Sequence, residues 1–201
     1  KQNPLDEDEH LAYLDTHYYG GIKKYQWVAL PLALHGVVVK KDGTTVTLNI
    51  GDKPGDPVFY ISDLLIHLAA DQMGKTAAKV IEGDSLNIII GSEPKKDTDK
   101  DPVKTAILDI LKEQYSIDEE DFISAELEAV PAGHARDLGF DRSMIMGYGH
   151  DDRVCAYPSM AAVLNYEGTP EYTLAAVLTD KEEIGSVGAT GMGAMYFENT
   201  M

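Results

Sequence analysis

Cysteine is almost absent from this 201-residue chain, and long apolar runs are missing altogether. A single cysteine, Cys155, cannot form an internal disulfide bond, which fits a reducing compartment. No apolar run approaches the roughly 18 residues that a membrane-spanning helix needs. A signal peptide is also missing. We therefore expect a cytoplasmic protein that has no membrane as a partner.

Basic side chains are scarce, since 17 Lys and Arg residues face 34 Asp and Glu residues and the net charge is −17. A field of this sign repels the phosphates of nucleic acids and of anionic membranes. Nucleic acid is therefore not an expected partner. The hydrophobic share of 44% is ordinary, and it is sufficient for one larger domain or two small ones.

Several common site motifs are also absent. No HExxH pattern occurs, which excludes a zinc protease site built on one helix, and no CxxC pair occurs, which excludes a zinc ribbon. The glycines between Gly188 and Gly193 do not have the GxGxxG spacing of a nucleotide loop, and close packing explains them better.

The first part of the chain contains β-type patterns and one strong helix signal. An apolar stretch at 27–34 predicts a strand, and Pro31 indicates that this strand is bent or lies at an edge. The residues from 37 to 50 predict a hairpin that turns at 41–43. Asp101-Pro102 predicts the start of a helix with one apolar stripe. The stripe contains Val103, Ile107, Ile110 and Leu111.

Further elements follow the same logic. Ser62-Asp63 predicts the cap of a short helix at 64–68, and the alternation at 122–130 predicts a half-buried strand. A packed helix is expected at 154–164, a strand buried on both faces at 173–178, and another helix after the small residues of 185–195. Strands followed by turns and helices indicate an α/β fold, in which functional groups tend to lie at the carboxyl ends of strands.

Two acidic pairs are the main candidates for chemistry. Asp151-Asp152 precedes the predicted helix at 154–164, and Glu182-Glu183 follows the predicted buried strand. One carboxylate of such a set can bridge two metal ions while another moves a proton. The alternative is a set of surface acids that form structural ion pairs, for example between Arg153 and either aspartate.

His67 and Cys155 are weaker candidates by themselves. His67 lies in an apolar stretch, where a histidine is by default part of the core. Cys155 has no obvious base beside it in an apolar helix, which predicts a buried and inert thiol.

Four segments resemble the aspartyl aminopeptidase / aminopeptidase I family of dinuclear zinc exopeptidases. They are THYYGGIKKYQW at 16–27, DLLIHL at 63–68, SMIMGYGHDDRVCAYPS at 143–159 and DKEEIGSVGATGM at 180–192. They occur in the family's order and span most of the chain, and the last two are specific to the family.

The resemblance implies a role for several residues. Asp151 matches the carboxylate that bridges two zinc ions, and Glu183 matches a terminal ligand of one zinc. Glu182 matches the general base, and His67 matches a histidine that enters the active site of a partner subunit and stabilises an oxyanion. The family also tends to have a cis peptide bond after the bridging aspartate, here between Asp151 and Asp152.

The resemblance further implies a fold of two parts, an inserted, mostly β, mixed dimerisation domain at 1–147 with a short lead-in, and part of the α/β catalytic sheet at 148–201. It implies two zinc ions, a peptide substrate and a homo-oligomer. The family's other metal ligands have no match here, so we expect a fragment of a longer aminopeptidase. Two alternatives remain, a catalytically silent oligomerisation module and a small-molecule-binding domain with structural acid pairs.

Overall fold

The computed structural model describes residues 3–183 and 188–200, which form two compact units. The first unit contains Ile22–His134 and the segment that ends at Tyr18, and the second contains Tyr19–Gly21 and the chain from Ala135 onward. The predicted domain boundary at 147 lies inside the second unit. The assignment of the two parts as a dimerisation domain and a catalytic domain stays a prediction.

The first unit is built on an antiparallel sheet of seven strands. Its strands are β1 (Leu5–Glu7), β2 (Ala12–Leu14), β3 (Pro31–Val39), β4 (Thr45–Ile50), β5 (Phe59–Tyr60), β6 (Ile88–Gly91) and β7 (Ala125–Pro131). The order β1-β2-β6-β5-β3 runs across the sheet, with β5 and then β4 along one edge of β3 and β7 along the other. A mixed α/β fold is therefore confirmed, but its main sheet is antiparallel.

Strand β3 is the centre of this sheet and supplies much of the core. Leu32, Ala33 and Val38 have no exposed surface. The prediction that Pro31 marks an edge strand is wrong, because Pro31 is the first residue of β3 and pairs with Tyr60. Proline is tolerated at this first position of the strand. Beyond it, β3 has neighbouring strands on both of its edges.

The hairpin of β3 and β4 is confirmed, with its turn at 40–44. Leu48 and Ile50 are buried while Thr47 and Asn49 are exposed, as the alternation predicts. The alternation of β7 is also confirmed over 125–129. It fails just before, where 119–124 form a 3-10 helix, so that Phe122 is buried instead of Ile123.

Helix α2 (Pro102–Tyr115) begins at the expected position, after the short helix α1 (Ala70–Met73). Asp101 precedes it but makes no side-chain cap. Instead, the Glu7 carboxylate of β1 accepts the N–H groups of Val103 and Lys104 at 3.2 and 2.8 Å. The predicted apolar stripe is partly wrong, since Ile110 is exposed.

Segment 62–68 is not the capped helix that the sequence predicts. Leu65 has extended backbone, and only Ile66–Leu68 forms one 3-10 turn before α1. The segment begins and ends at buried positions, because Ile61 and Ala69 are 4% and 2% exposed. Between these two residues, all of 62–68 is exposed.

In its described residues the second unit contains a small hairpin and the helices given next. The hairpin pairs β8 (Arg136–Leu138) with β9 (Met144–Met146), and the helices are α3 (His150–Leu164) and α4 (Tyr196–Thr200). The helix predicted at 154–164 is therefore confirmed, although its side chains are mostly exposed instead of packed. α4 confirms the helix expected after the small residues, of which 185–187 lie outside the described residues.

The buried strand predicted at 173–178 is wrong. These residues have no regular secondary structure, and Leu174, Val177 and Leu178 are 41%, 47% and 58% exposed. Apolar composition alone predicts burial only if a neighbouring element covers both faces. Across residues 3–183 and 188–200, we find no helix that is both long and apolar enough to cross a bilayer.

Candidate metal and catalytic site

Asp151 lies at an irregular start of α3. Gly149 precedes the helix with φ of 81°, and Asp151 has φ of −90° and ψ of 113°, which is not helical. The peptide bond between Asp151 and Asp152 is cis, as the resemblance implies. Both carboxylates are exposed, so the start of α3 presents two acids to solvent.

Arg153 does not serve these acids in the way that the ion-pair alternative requires. Its Nη1 donates to the carbonyl oxygens of Tyr148 and Gly149 at 3.1 and 3.0 Å. A Cβ atom on Gly149 would lie 1.9 Å from the same nitrogen, so a larger residue there would displace the guanidinium. The guanidinium therefore braces the turn before α3 and leaves Asp151 available for another partner.

Cys155 is exposed, which makes the prediction of a buried thiol wrong. The helix that carries it has no covering element on this side. A hydrogen bond with the Asp152 side chain raises the pKa of the Cys155 thiol, and the charge of the same carboxylate adds to the effect. The thiol is therefore less ionised at neutral pH than an ordinary cysteine, which makes it a poor nucleophile.

Glu182 and Glu183 follow a tight turn that is fixed at Asp180. Asp180 forms a parallel bridge with Gly191, and its carboxylate accepts a hydrogen bond from the Thr190 hydroxyl at 3.1 Å. The Lys181 ammonium, 2.9 Å from the same carboxylate, is the main cause that lowers the pKa of Asp180. Lys181, immediately before the two exposed glutamates, has a left-handed backbone conformation with φ of 60°.

Tyr19 contacts the same turn from a distant part of the sequence. Its hydroxyl donates to the carbonyl oxygen of Lys181 at 2.8 Å and also lies in short contact with that of Glu183. Burial is the first cause that raises the pKa of Tyr19, and the charges of Glu183 and Glu182 add to it while Lys181 opposes it. No periodicity marked Tyr19 in the sequence. The only signal was that segments 16–27 and 180–192 both carry the family resemblance.

His67 lies in segment 62–68 of the first unit and is exposed, so the default expectation of a core histidine is wrong. Its apolar neighbours are exposed as well, with Ile66 at 65% and Leu68 at 68%. The base of the segment is held by Asp63, whose carboxylate accepts hydrogen bonds from the Leu64 N–H and the Gln72 amide at 2.8 and 2.7 Å.

The donor types at these positions are suitable for zinc, which binds carboxylate oxygens as well as histidine nitrogens. Within residues 3–183 and 188–200, however, no three His, Cys, Asp or Glu side chains come together as a metal-binding group. The chain thus contains candidate ligands, Asp151 and Glu183, without a complete ligand set among the described residues.

The first unit contains an open cleft. It has a volume of about 410 Å³, and Lys24, Lys75, Lys79 and Ile81 are among its lining residues. Lys75 pairs with Glu82 across it at 3.4 Å. None of the predicted residues His67, Asp151, Glu182 and Glu183 lines this cleft.

Comparison with known proteins gives a consistent result over the whole chain. The family model "Aminopeptidase I zinc metalloprotease (M18)" matches residues 1–201. The chain is 62% identical to a "Probable M18 family aminopeptidase 1" of Clostridium acetobutylicum over 202 residues, which covers 100% of the chain and 43% of that relative.

Two crystal structures are also similar. One is the M18 aminopeptidase of Thermotoga maritima, with a TM-score of 0.89, 48% identity and coverage of 100% of this chain and 44% of that one. The other is aminopeptidase I of Clostridium acetobutylicum, with a TM-score of 0.89, 58% identity and the same coverage. The chain therefore spans about 43% of the length of the curated relatives it matches.

Proposed function

The chain belongs to the aminopeptidase I zinc metalloprotease (M18) family, and from this premise we propose that it is part of a zinc-dependent aminopeptidase. The proposed reaction removes N-terminal residues from peptides by hydrolysis. The observation that carries the proposal is the family match over all 201 residues, at 62% identity to a relative with that name. The whole protein is proposed to act in the cytoplasm as a homo-oligomer.

The second unit supplies the acids of the proposed site. Asp151 is proposed to bridge two zinc ions, and Glu183 to bind one of them. When bound, zinc lowers the pKa of a water molecule to about 7 and polarises a carbonyl group. The exposed carboxylates at the start of α3 and after the turn at Lys181 support these roles, because neither is enclosed by the described part of its unit.

Glu182 is proposed as the general base that accepts a proton from the attacking water and delivers it to the leaving amine. A carboxylate suits this role because its oxygens can accept a proton and pass it on to the leaving group. Glu182 adjoins the proposed ligand Glu183 in sequence and follows Lys181, whose φ is 60°, and this adjacency supports the proposal that the two act at one site.

His67 is proposed to act in the active site of a partner subunit, where it stabilises the developing oxyanion. The support is the exposure of the apolar side chains of segment 62–68, together with the hydrogen bond from Gln72 to Asp63 at its start. Exposed apolar side chains in such a cluster are typical of protein interfaces. Insertion of this segment into another subunit would remove its apolar side chains from water, which would stabilise the assembly.

The experiment uses the whole protein and compares Glu182→Gln with Glu167→Gln, an exposed acid of the same unit. We expect Glu182→Gln to reduce peptide hydrolysis by more than 100-fold with the zinc content unchanged, since removal of a general base costs about 10²–10⁴ in rate. Glu167→Gln should retain full activity. A wild-type whole protein that binds no zinc and cleaves no peptide refutes the proposal.

A mixing experiment tests the role of His67 across an interface. Oligomers are reassembled from His67→Ala and Glu182→Gln subunits, each inactive alone, and mixed oligomers should recover part of the activity. If they recover none, His67 serves its own subunit. His10→Ala is the control, because this histidine is exposed and distant in sequence from segment 62–68.

Zinc binding by the 201-residue chain alone, compared with that of the whole protein, tests whether Asp151 and Glu183 belong to a larger ligand set. An incomplete ligand set binds metal weakly, because each missing ligand removes part of the binding free energy. We expect the chain alone to bind zinc much more weakly than the whole protein. If the chain alone binds two zinc ions tightly, the assignment of Asp151 and Glu183 as part of a larger ligand set is wrong.

A further inference from the structure

The backbone next to the proposed base Glu182 and the proposed zinc ligand Glu183 is held by a residue with no assigned role. The Tyr19 hydroxyl contacts the carbonyl oxygens of Lys181 and Glu183, the former at 2.8 Å. These two carbonyls belong to the residues on either side of Glu182. The hydroxyl therefore contacts the backbone on both sides of the proposed base. Tyr19 and Lys181 are 162 residues apart in the sequence.

The next residue, Gly20, packs against the same turn. It has φ of +77°, and a Cβ atom built on it would lie 3.3 Å from the Cβ of Glu183. That distance is tighter than ordinary van der Waals contact. Gly21 differs, since a Cβ atom there would meet nothing within 4 Å. The consecutive residues Tyr19 and Gly20 thus contact the turn, whereas Gly21 does not.

The turn itself needs such support. Its first half is fixed, because Asp180 bonds to Thr190 and bridges to Gly191. Lys181 then has φ of 60°, a conformation that costs about 1–2 kcal/mol for a residue with a Cβ atom and persists only where the surroundings hold it. The hydroxyl of Tyr19 bonds to the carbonyl of this strained residue and contacts the second carbonyl beyond it.

We propose that Tyr19 is a positioning residue that holds the backbone of Lys181–Glu183 and so sets where the Glu182 and Glu183 carboxylates lie. The inference rests on the proposed function of those two glutamates. Tyr19 itself neither touches substrate nor transfers a proton. Its hydroxyl fixes the two carbonyls, and Gly20 allows the close approach on which that contact depends.

The test is Tyr19→Phe in the whole protein, with Tyr18→Phe as the matched control. Tyr18 is the adjacent tyrosine, and its ring lies instead beside the Lys24 ammonium, 5.6 Å from the ring centroid. Tyr19→Phe keeps the ring and removes only the hydroxyl. We expect kcat for peptide hydrolysis to fall by about 10–100-fold, because a displacement of about 1 Å at a reacting group has this effect.

KM should stay within about twofold of wild type, since the hydroxyl makes no contact with substrate. Zinc affinity should fall by about 10-fold, the lower end of what loss of a supporting group around a ligand costs. Hydrogen–deuterium exchange should accelerate in peptides that contain residues 180–183. Tyr18→Phe should match wild type in all of these measurements.

A second pair of variants approaches the turn from the other side. Gly20→Ala retains the hydroxyl but pushes on Glu183, so it should reduce kcat and accelerate exchange at 180–183 as well. Gly21→Ala, where the added methyl group meets open space, should behave as wild type.

The outcomes separate this inference from the proposed function. If kcat, zinc affinity and exchange are unchanged in Tyr19→Phe, the positioning role is refuted. If activity falls only in proportion to a general loss of folded protein, Tyr19 belongs to the fold and the role is again refuted. If the wild-type whole protein cleaves no peptide, the proposed function fails, while exchange at 180–183 still decides whether Tyr19 holds the turn.

Discussion

Replacement of Gly36 by alanine tests the packing of the central strand more sharply than any other single change in the first unit. Gly36 lies in β3 between Leu48 of β4 and Leu127 of β7. Its φ is +142°, and a Cβ atom there would lie 2.0 Å from the carbonyl oxygen of Glu126 and 2.9 Å from the Cα of Leu127. Both contacts are with backbone, so no side-chain rotation relieves them.

The expected cost has two sources. A residue with a Cβ atom at positive φ costs about 1–2 kcal/mol. The overlap with the Glu126 carbonyl then forces β3 and β7 apart, which weakens ladder hydrogen bonds worth about 1 kcal/mol each and adds overpacking strain of about 1–3 kcal/mol. We expect Gly36→Ala to lower the free energy of unfolding by about 4 kcal/mol, a large part of the roughly 5–15 kcal/mol that ordinary domains have.

Gly43→Ala is the matched control. Gly43 also has positive φ, +84°, but a Cβ atom there meets nothing within 4 Å, because it lies in the turn between β3 and β4. This variant should cost only the backbone contribution, about 1 kcal/mol. Denaturant unfolding of the 201-residue chain, followed by the fluorescence of its single tryptophan, Trp27, measures both, since Trp27 packs against the core of this unit. If the two variants differ by less than about 1 kcal/mol, the close approach of β7 to Gly36 is refuted.

Two further predictions concern carboxylates of the same unit. Glu7→Ala should lower the free energy of unfolding by about 1 kcal/mol, because the carboxylate caps the N-terminus of α2, whereas Glu9→Ala, an exposed change, should have little effect in the same denaturant assay. Asp52 accepts the Gly133 N–H at 3.0 Å and contacts His35 Nε2 at 2.7 Å, and these bonds, the first above all, lower its pKa below the ordinary 3.8. Asp52→Asn should therefore lower the free energy of unfolding by about 1 kcal/mol at pH 7. The difference in melting temperature between this variant and the wild type should shrink as the pH falls below about 4 and through the lowered pKa. In that range the wild-type carboxylate becomes protonated and loses its advantage over the amide. A difference that is constant from about pH 7 to about pH 2 contradicts this assignment.

Elements that depend on local pattern were predictable from the sequence. The hairpin of β3 and β4, the alternation of β7 and the helix α2 each follow from spacing and turn residues that lie close together in the chain. Elements whose burial depends on a distant neighbour were not. The apolar residues at 173–178 predict a buried strand, but the described part of the second unit places no strand beside them. The apolar composition of segment 62–68 misleads in the same way. It predicts burial, but the side chains are exposed.

Capping shows why some contacts cannot be predicted from a single segment. Asp101 and Pro102 correctly mark where α2 begins, because both residue types suit a helix start. The group that accepts hydrogen bonds from the free N–H groups is nevertheless the carboxylate of Glu7, which precedes Val103 by 96 residues. It reaches them because α2 packs over β1 and β2, which no local pattern of residues 101–115 reveals.

In the candidate site, too, the local pattern revealed the acids but not the contact made by a residue distant in sequence. Acid pairs at Asp151 and Glu182 were visible in the sequence, and the resemblance gave each a separate role, including the cis peptide bond that the structure contains. Tyr19 was not visible, because its partners lie 162 and 164 residues away. The chain passes through the second unit at Tyr19–Gly21 and then enters the long segment Ile22–His134 of the first unit. This short passage brings a hydroxyl to the backbone on both sides of Glu182. A truncated chain that begins at residue 135 would therefore keep Asp151, Glu182 and Glu183 but lose the residue that we propose positions two of them.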